Sequence, residues 1–232
     1  MSPRTLQQKL RFYDTIADRF DDVVNQYDLT RRLTVVFDEF LGADDLRGRS
    51  LLDVGCGTGW FSRRAEERGA RVVSLDIGPA LLAHVRRKCG AALVAADACA
   101  LCFPDNRFDI VVATESLEHT LDPIAGLHEA YRVLRPGGTL IVTIPNRLWH
   151  FSATIAEIFK LRPYEGLENW LGWFELRAEV RRMNATIERM FGFHAFPPVI
   201  RATWPIVRRL DPLGSIAGPL MLNIALKATK PS

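Results

Sequence analysis

Between residues 50 and 144 the chain alternates short apolar runs with stretches whose apolar residues recur every three or four positions. Residues 50–55, 71–77, 92–96, 108–113 and 139–144 read as strands, and 108–113 is apolar throughout, as expected of a strand covered on both faces. The intervening stretches read as helices. The first covers 60–68 and is stopped by Gly69; the second is opened by Pro79 and carries Leu81, Leu82 and Val85. The third is capped by Asp122, starts at Pro123 and places Ile124, Leu127, Tyr131 and Leu134 on one face. Regular alternation of strand and helix predicts a parallel sheet with helices on both faces.

The flanks are patterned differently. Residues 5–40 show helical spacing through Leu10, Tyr13, Ala17 and Phe20, then Leu29, Leu33, Val36, Phe37 and Phe40, which predicts a helical cover ahead of the first strand. Residues 147–174 are rich in aromatic side chains. Residues 175–190 place Leu176, Val180, Met183, Ile187 and Met190 at helical spacing before Gly192, and 194–203 and 222–229 read as the last two strands. The expectation is one α/β domain over 1–232, a doubly wound, mostly parallel seven-stranded sheet. Within it, 1–48 form N-terminal helices, 49–146 a binding core, 147–192 a cap and helix, and 193–232 the final strands.

The first strand runs into Gly55-Cys56-Gly57-Thr58-Gly59, and the second ends on Asp76. Glycines at alternate positions allow a tight turn and close approach of a ligand to the backbone. Strand, glycine turn, helix, strand and acid is the arrangement that holds a nucleoside, the acid accepting from the ribose diol. The nicotinamide fingerprint needs a glycine at position 60, where Trp60 stands. Candidate binding residues at the carboxyl ends of the strands are Asp53, Gly55, Gly57, Gly59, Asp76, Ile77 over the base, Asp97 with Ala98 at its amino group, Thr114 and Glu115. Tyr13 and Arg32 could reach the site from the helical cover.

The string Asp53-Val-Gly-Cys-Gly-Thr-Gly59 resembles the first motif of class I S-adenosylmethionine (SAM)-dependent methyltransferases, which implies SAM as cofactor and a final antiparallel strand. Nearly the whole chain is similar to the O-methyltransferases of ubiquinone biosynthesis, through L-D-I-G, E-S-L-E-H-T-L-D-P, L-R-P-G-G and Thr143-Ile-Pro-Asn146-Arg147. Glu115, Glu118 and His119 fall on that family's metal-binding E-x-x-E-H, and their i, i+3 and i+4 spacing suits a divalent cation such as Mg2+. Brace and general base are the other readings of this trio, with His119 taking a proton and Glu118 beside it. Two features depart from the family: Glu165–Trp170 lacks its histidine, and the connection over 204–219 is unlike its own.

Composition adds limits. A formal charge of +3 is too small to argue for nucleic acid, and 25% charged residues are ordinary for a globular protein. The N-terminal residues carry no apolar signal core, and no apolar run is long enough to span a bilayer. Four cysteines without secretory context fit a reducing, cytoplasmic setting, and Cys99-x-x-Cys102 reads as small buried thiols rather than a redox or zinc pair. Four of the five tryptophans fall between 149 and 204, which favours a small phenolic or lipophilic hydroxyl acceptor. Trp204–Leu210 mixes aromatic, apolar and basic residues, as peripheral membrane contacts do. The alternatives are an amine or sugar methyltransferase of natural-product biosynthesis and a SAM-binding protein without catalysis.

Overall fold

The computed structural model describes Thr15 and residues 17–153 and 168–232. A helical turn, Ala17–Arg19, and a single α-turn, Phe20–Val23, precede α1 (Gln26–Leu33), whose start is capped by the Asn25 side chain accepting from the backbone N–H of Tyr27 and Asp28. The helix continues as a π-helical stretch, Thr34–Phe40, in which Leu41 N donates to Val36 O at 3.0 Å. Strands and helices then alternate, except that β3 leads to β4 without a helix: β1 (Ser50–Val54), α2 (Trp60–Glu67), β2 (Arg71–Asp76), α3 (Pro79–Lys88), β3 (Ala92–Ala95), β4 (Phe108–Thr114), α4 (Pro123–Arg132) and β5 (Leu134–Pro145). The chain closes with α5 (Trp173–Arg182), β6 (Thr186–Phe193), α6 (Trp204–Leu210) and β7 (Asn223–Thr229).

The sheet has seven strands in the order β3-β2-β1-β4-β5-β7-β6. Neighbours from β3 to β5 are parallel, and β7 runs antiparallel to both β5 and β6. Alternate residues of each strand feed opposite faces. Leu52, Val54, Val111, Ala113, Leu140 and Val142 join Leu127 and Ala130 of α4 and Leu176 and Val180 of α5. Leu51, Ile110, Val112 and Ile141 join Phe61 of α2 and Val36, Phe37 and Phe40 of the π-helical stretch. The doubly wound expectation holds, and the core strands lie where the apolar runs placed them, except that β5 begins at Leu134 rather than 139 and so takes in Leu134, expected on the helix face, and the Arg135–Gly138 stretch expected to be a turn.

The C-terminal third departs from the sequence reading. The helix expected over 175–190 ends at Arg182, and 186–193 is instead β6, while 194–203 is loop with one helical turn, Arg201–Thr203. Asn184 sits at φ 60°, a left-handed conformation that terminates the helix. Ile187 and Met190 then pack on the same face of the sheet although three residues apart. A bulge between Ile187 and Arg189 inserts one extra residue, so a strand acquires the spacing of a helix.

Candidate active site

The carboxyl ends of β1, β2 and β4 converge on the glycine turn. Gly55, Gly57 and Gly59 all have positive φ, at 67°, 54° and 89°. Gly55 N and Cys56 N both donate to Leu75 O, at 2.7 and 2.9 Å, folding the turn onto β2. A Cβ on Gly55 would lie 2.4 Å from Ser116 Cβ, and one on Gly59 2.9 Å from Val85 Cγ1, so only glycine fits either place. The Asp76 carboxylate accepts from Gly57 N and Gly78 N, both at 2.9 Å. Burial raises its pKa, against the opposing pull of these backbone donors.

Of the other predicted contacts, Ile77 follows Asp76 half-buried, and Asp97 accepts from Cys99 N at 2.9 Å, closing a turn that carries Ala98. Thr114 is buried at the end of β4 opposite Thr143. Asp53 is not brought to the ligand side. Its side chain accepts from Ser62 Oγ at 2.6 Å, Ser62 in turn meets Ser74 Oγ at 2.7 Å, and the residue is 1% exposed. Burial pushes its pKa to about 7 despite the Ser62 hydrogen bond, and Asp76 adds to the rise. Asp53 therefore fastens β1 to α2, beneath the turn.

The N-terminal cover reaches the glycine turn from outside. A Cβ on Gly57 would come within 3.3 Å of the Phe20 ring. Asp21 accepts from Thr58 Oγ1 at 2.5 Å, Trp60 Nε1 at 3.0 Å and Lys88 Nζ at 2.6 Å, joining the cover to α2 and α3. Tyr13 lies outside the described residues.

Beyond β4 the chain makes a tight polar turn. Glu115 has φ 48° and donates its backbone N–H to Thr143 O at 2.9 Å. Glu115 Oε1 and Glu118 Oε2 are buried without a hydrogen-bond partner among the described residues. Burial raises the Glu115 pKa to about 7, with Arg32 pulling it down and Asp28 pushing it up. Glu118 is raised well above the ordinary carboxyl value, by burial and then by Glu115. His119 Nε2 lies 3.7 Å from Glu118 Oε1.

Helix α1 supplies the counter-charge. Arg32 is 9% exposed, donates from Nε to Asp28 Oδ2 at 2.8 Å, and attracts both Glu115 and Glu118. Asp28 Oδ1 is 3.1 Å from Nε2 of His194, a fully buried residue at φ 58° directly after β6, whose own N–H donates to Asp211 at 2.8 Å. Arg31 closes the layer on Asp211 at 2.7 Å. A guanidinium thus faces the two carboxyls where the E-x-x-E-H spacing suggested a metal. Among the described residues no group of three His, Cys, Asp or Glu side chains could hold a metal ion. The structure gives no support to the expectation of Mg2+ at Glu115, Glu118 and His119: the positive charge that faces the pair is that of Arg32.

Sequence reasoning missed Asp28, His194 and Asn223, which all belong to this buried layer. The i, i+4 spacing of Asp28 and Arg32 was a usable signal. Nothing local marks His194, which meets α1 only through the fold.

The cradle fits a cationic nucleoside. Its backbone turn would be filled by any Cβ, it offers a carboxylate at the end of β2, and it has buried carboxyl oxygens lacking partners at the end of β4. Comparison with known proteins agrees: residues 52–142 match the model of the methyltransferase domain. The chain is 32% identical over 161 residues to the ubiquinone biosynthesis O-methyltransferase of Pseudomonas fluorescens, covering 64% of this chain and 69% of that one. It is 39% identical over 140 residues to demethylmenaquinone methyltransferase of Beutenbergia cavernae, covering 55% and 56%. In fold it is similar to magnesium protoporphyrin IX methyltransferase from Synechocystis, solved with bound SAH, at a TM-score of 0.70 and 15% identity over 97% of this chain and 99% of that one. The chain belongs to the class I SAM-dependent methyltransferases. It spans 51–58% of the length of the first curated relatives it matches.

Proposed function

We propose that the chain transfers the methyl group of SAM to a hydroxyl group of a small phenolic or lipophilic acceptor, with a quinol as the favoured class. The observation that carries this reading is the buried carboxyl pair Glu115 and Glu118, set against Arg32 at the carboxyl end of β4 and next to His119. Aromatic residues are prominent in the segments after β5 and β6 that lie at the same end of the sheet. Trp149 donates to Leu220 O at 2.9 Å, Trp204 stacks on Tyr27 with centroids 4.8 Å apart, and Trp170 is buried. Relatives named for menaquinone, ubiquinone and hydroquinone substrates support a quinol.

When bound, the sulfonium supplies an activated methyl group whose departure leaves the C–S electron pair on sulfur. Asp76 would accept from the ribose diol, Asp97 and Ala98 would hold the adenine amino group, and Thr114 and Glu115 would meet the cationic tail. The enzyme's remaining tasks are alignment, exclusion of water and removal of the hydroxyl proton as oxygen bonds to carbon. His119 takes that proton, with the Glu118 carboxyl 3.7 Å from its Nε2 positioning the imidazole.

The test is calorimetric titration with SAM and, separately, NADH, followed by transfer of labelled methyl from SAM to a panel of hydroquinones, catechols, amines and sugars. Micromolar SAM binding, no NADH binding and labelled phenolic product are expected. Transfer only to amines or sugars would overturn the acceptor, and absence of SAM binding would overturn the cofactor.

A further inference from the structure

Leu121 aside, every exposed large apolar side chain among the described residues lies after Asn146 in sequence. These residues belong to the segments that leave β5, leave β6 and lead into β7, all at the end of the sheet that carries Glu115. The segments are joined to one another. Asn146 Nδ2 donates to Pro219 O at 2.9 Å and to Met221 O at 3.0 Å, and Trp149 Nε1 donates to Leu220 O. Leu148 and Phe151 on one side therefore adjoin Leu220 on the other, and Leu213, Ile216 and Ile206 extend the apolar surface; Ile216 is 87% exposed.

The charges on this surface have one sign. From 195 to 222 the ionisable residues are Arg201, Arg208, Arg209 and Asp211. The three arginines are exposed, while Asp211 is buried and held by Arg31. Short helices with exposed isoleucine and leucine, arginines as the exposed charges and a neighbouring tryptophan suit the boundary between lipid headgroups and acyl chains. Among the described residues no helix is long and apolar enough to cross a membrane. The contact would be peripheral.

We infer that this face, residues 199–220 with Leu148 and Phe151, docks on an anionic lipid bilayer and sets the acceptor end of the site against it. The charge pattern selects the partner, because exposed arginines without an exposed acid complement anionic headgroups and would gain little from a neutral membrane. This lipid contact deepens the lipophilic-acceptor reading and rests on it for its purpose: an acceptor dissolved in the membrane would reach Glu118 and His119 without crossing water.

The full chain is sedimented with phosphatidylcholine vesicles and with vesicles containing phosphatidylglycerol, at low and high salt, while SAM binding is followed by calorimetry in the same preparations. Retention on the anionic vesicles alone, reduced by salt, is expected. Arg209→Gln should weaken it by about fivefold, and Ile216→Asp should remove most of it; both positions are exposed and outside the binding machinery, so SAM affinity should be unchanged. A blue shift of tryptophan emission on adding anionic vesicles gives a second readout. No association at low salt by a protein that still binds SAM would overturn the lipid contact and leave the methyltransferase reading intact. Equal retention on both vesicle types would overturn it too. So would a dimer in light scattering that Ile216→Asp dissolves while vesicles fail to bind, since the face would then belong to a second copy of the chain.

Discussion

Asp76 spends two of its lone pairs on Gly57 N and Gly78 N and has others to accept with. On the proposed function, Asp76→Ala would remove two charge-assisted bonds to the ribose diol and would also free the glycine turn. A charged hydrogen bond is worth about 1.5–3 kcal/mol, so with two lost, calorimetry should show SAM affinity falling by roughly a hundredfold to ten-thousandfold. Glu115 gives a prediction with a sign. Its pKa rises from 4.5 to about 7 on folding, so between those values the folded chain holds a proton that the unfolded chain has lost. Stability then falls as pH rises from about 4.5 to about 7 and levels off above. Full ionisation of the buried group costs up to about 3 kcal/mol. Glu115→Gln should flatten that part of the denaturation profile and leave the variant more stable than the parent at pH 8. An unchanged slope would show that Glu115 is ionised without penalty. The glycine turn and Asp76 were legible in the sequence because each is a local requirement, one of backbone sterics and one of strand-end position. The layer Arg32–Asp28–His194 was not, because its members are brought together only by the sheet order.

Helix α1 acts as a plug in the carboxyl end of the sheet, held by Asp28 to His194 and by Arg31 to Asp211. Asp28→Asn would take from buried Arg32 the carboxylate it is hydrogen-bonded to, leaving only the Glu115–Glu118 pair opposite it, and loss of one partner from a buried ion pair costs about 3–5 kcal/mol. Chemical denaturation should show a loss of that order, with Asp28→Asn together with Arg32→Met recovering part of it. If Asp28→Asn changed stability by less than about 1 kcal/mol, the layer would be solvated rather than sealed. The strand β6 teaches a related lesson about reading elements. Its bulge gave Ile187 and Met190 a spacing of three, and the apolar periodicity of α5 ran on into it without a visible break. Asn184, whose side chain tolerates the left-handed conformation, was the signal that a helix stopped there.

For the molecule as a whole, a ligand that binds only the folded state raises its stability by RT ln(1 + [L]/Kd), or about 2.7 kcal/mol at a hundredfold excess over Kd. For a chain of this size that corresponds to a rise in Tm of roughly 5–10 °C with SAM, measured by calorimetry. The same rise should be seen with and without EDTA, because Arg32 rather than a metal faces the carboxyl pair. A shift abolished by EDTA would reinstate the cation. The connections explain why six strands could be placed in outline while β6 was misdrawn: three of the four connections from β1 to β5 carry a helix of distinct periodicity, whereas β6 follows α5 after only three residues and shares its apolar spacing.

The position of β7 between β5 and β6 has a consequence for how the chain is made. This strand is the latest of the seven in sequence, yet hydrogen bonds on both its edges close the sheet. Until residues 223–229 have left the ribosome, β5 and β6 each present an unpaired edge across an open slot. During synthesis the nascent polypeptide would carry two templates for stray strand pairing, and a chaperone that shields apolar edges would matter most until β7 emerges.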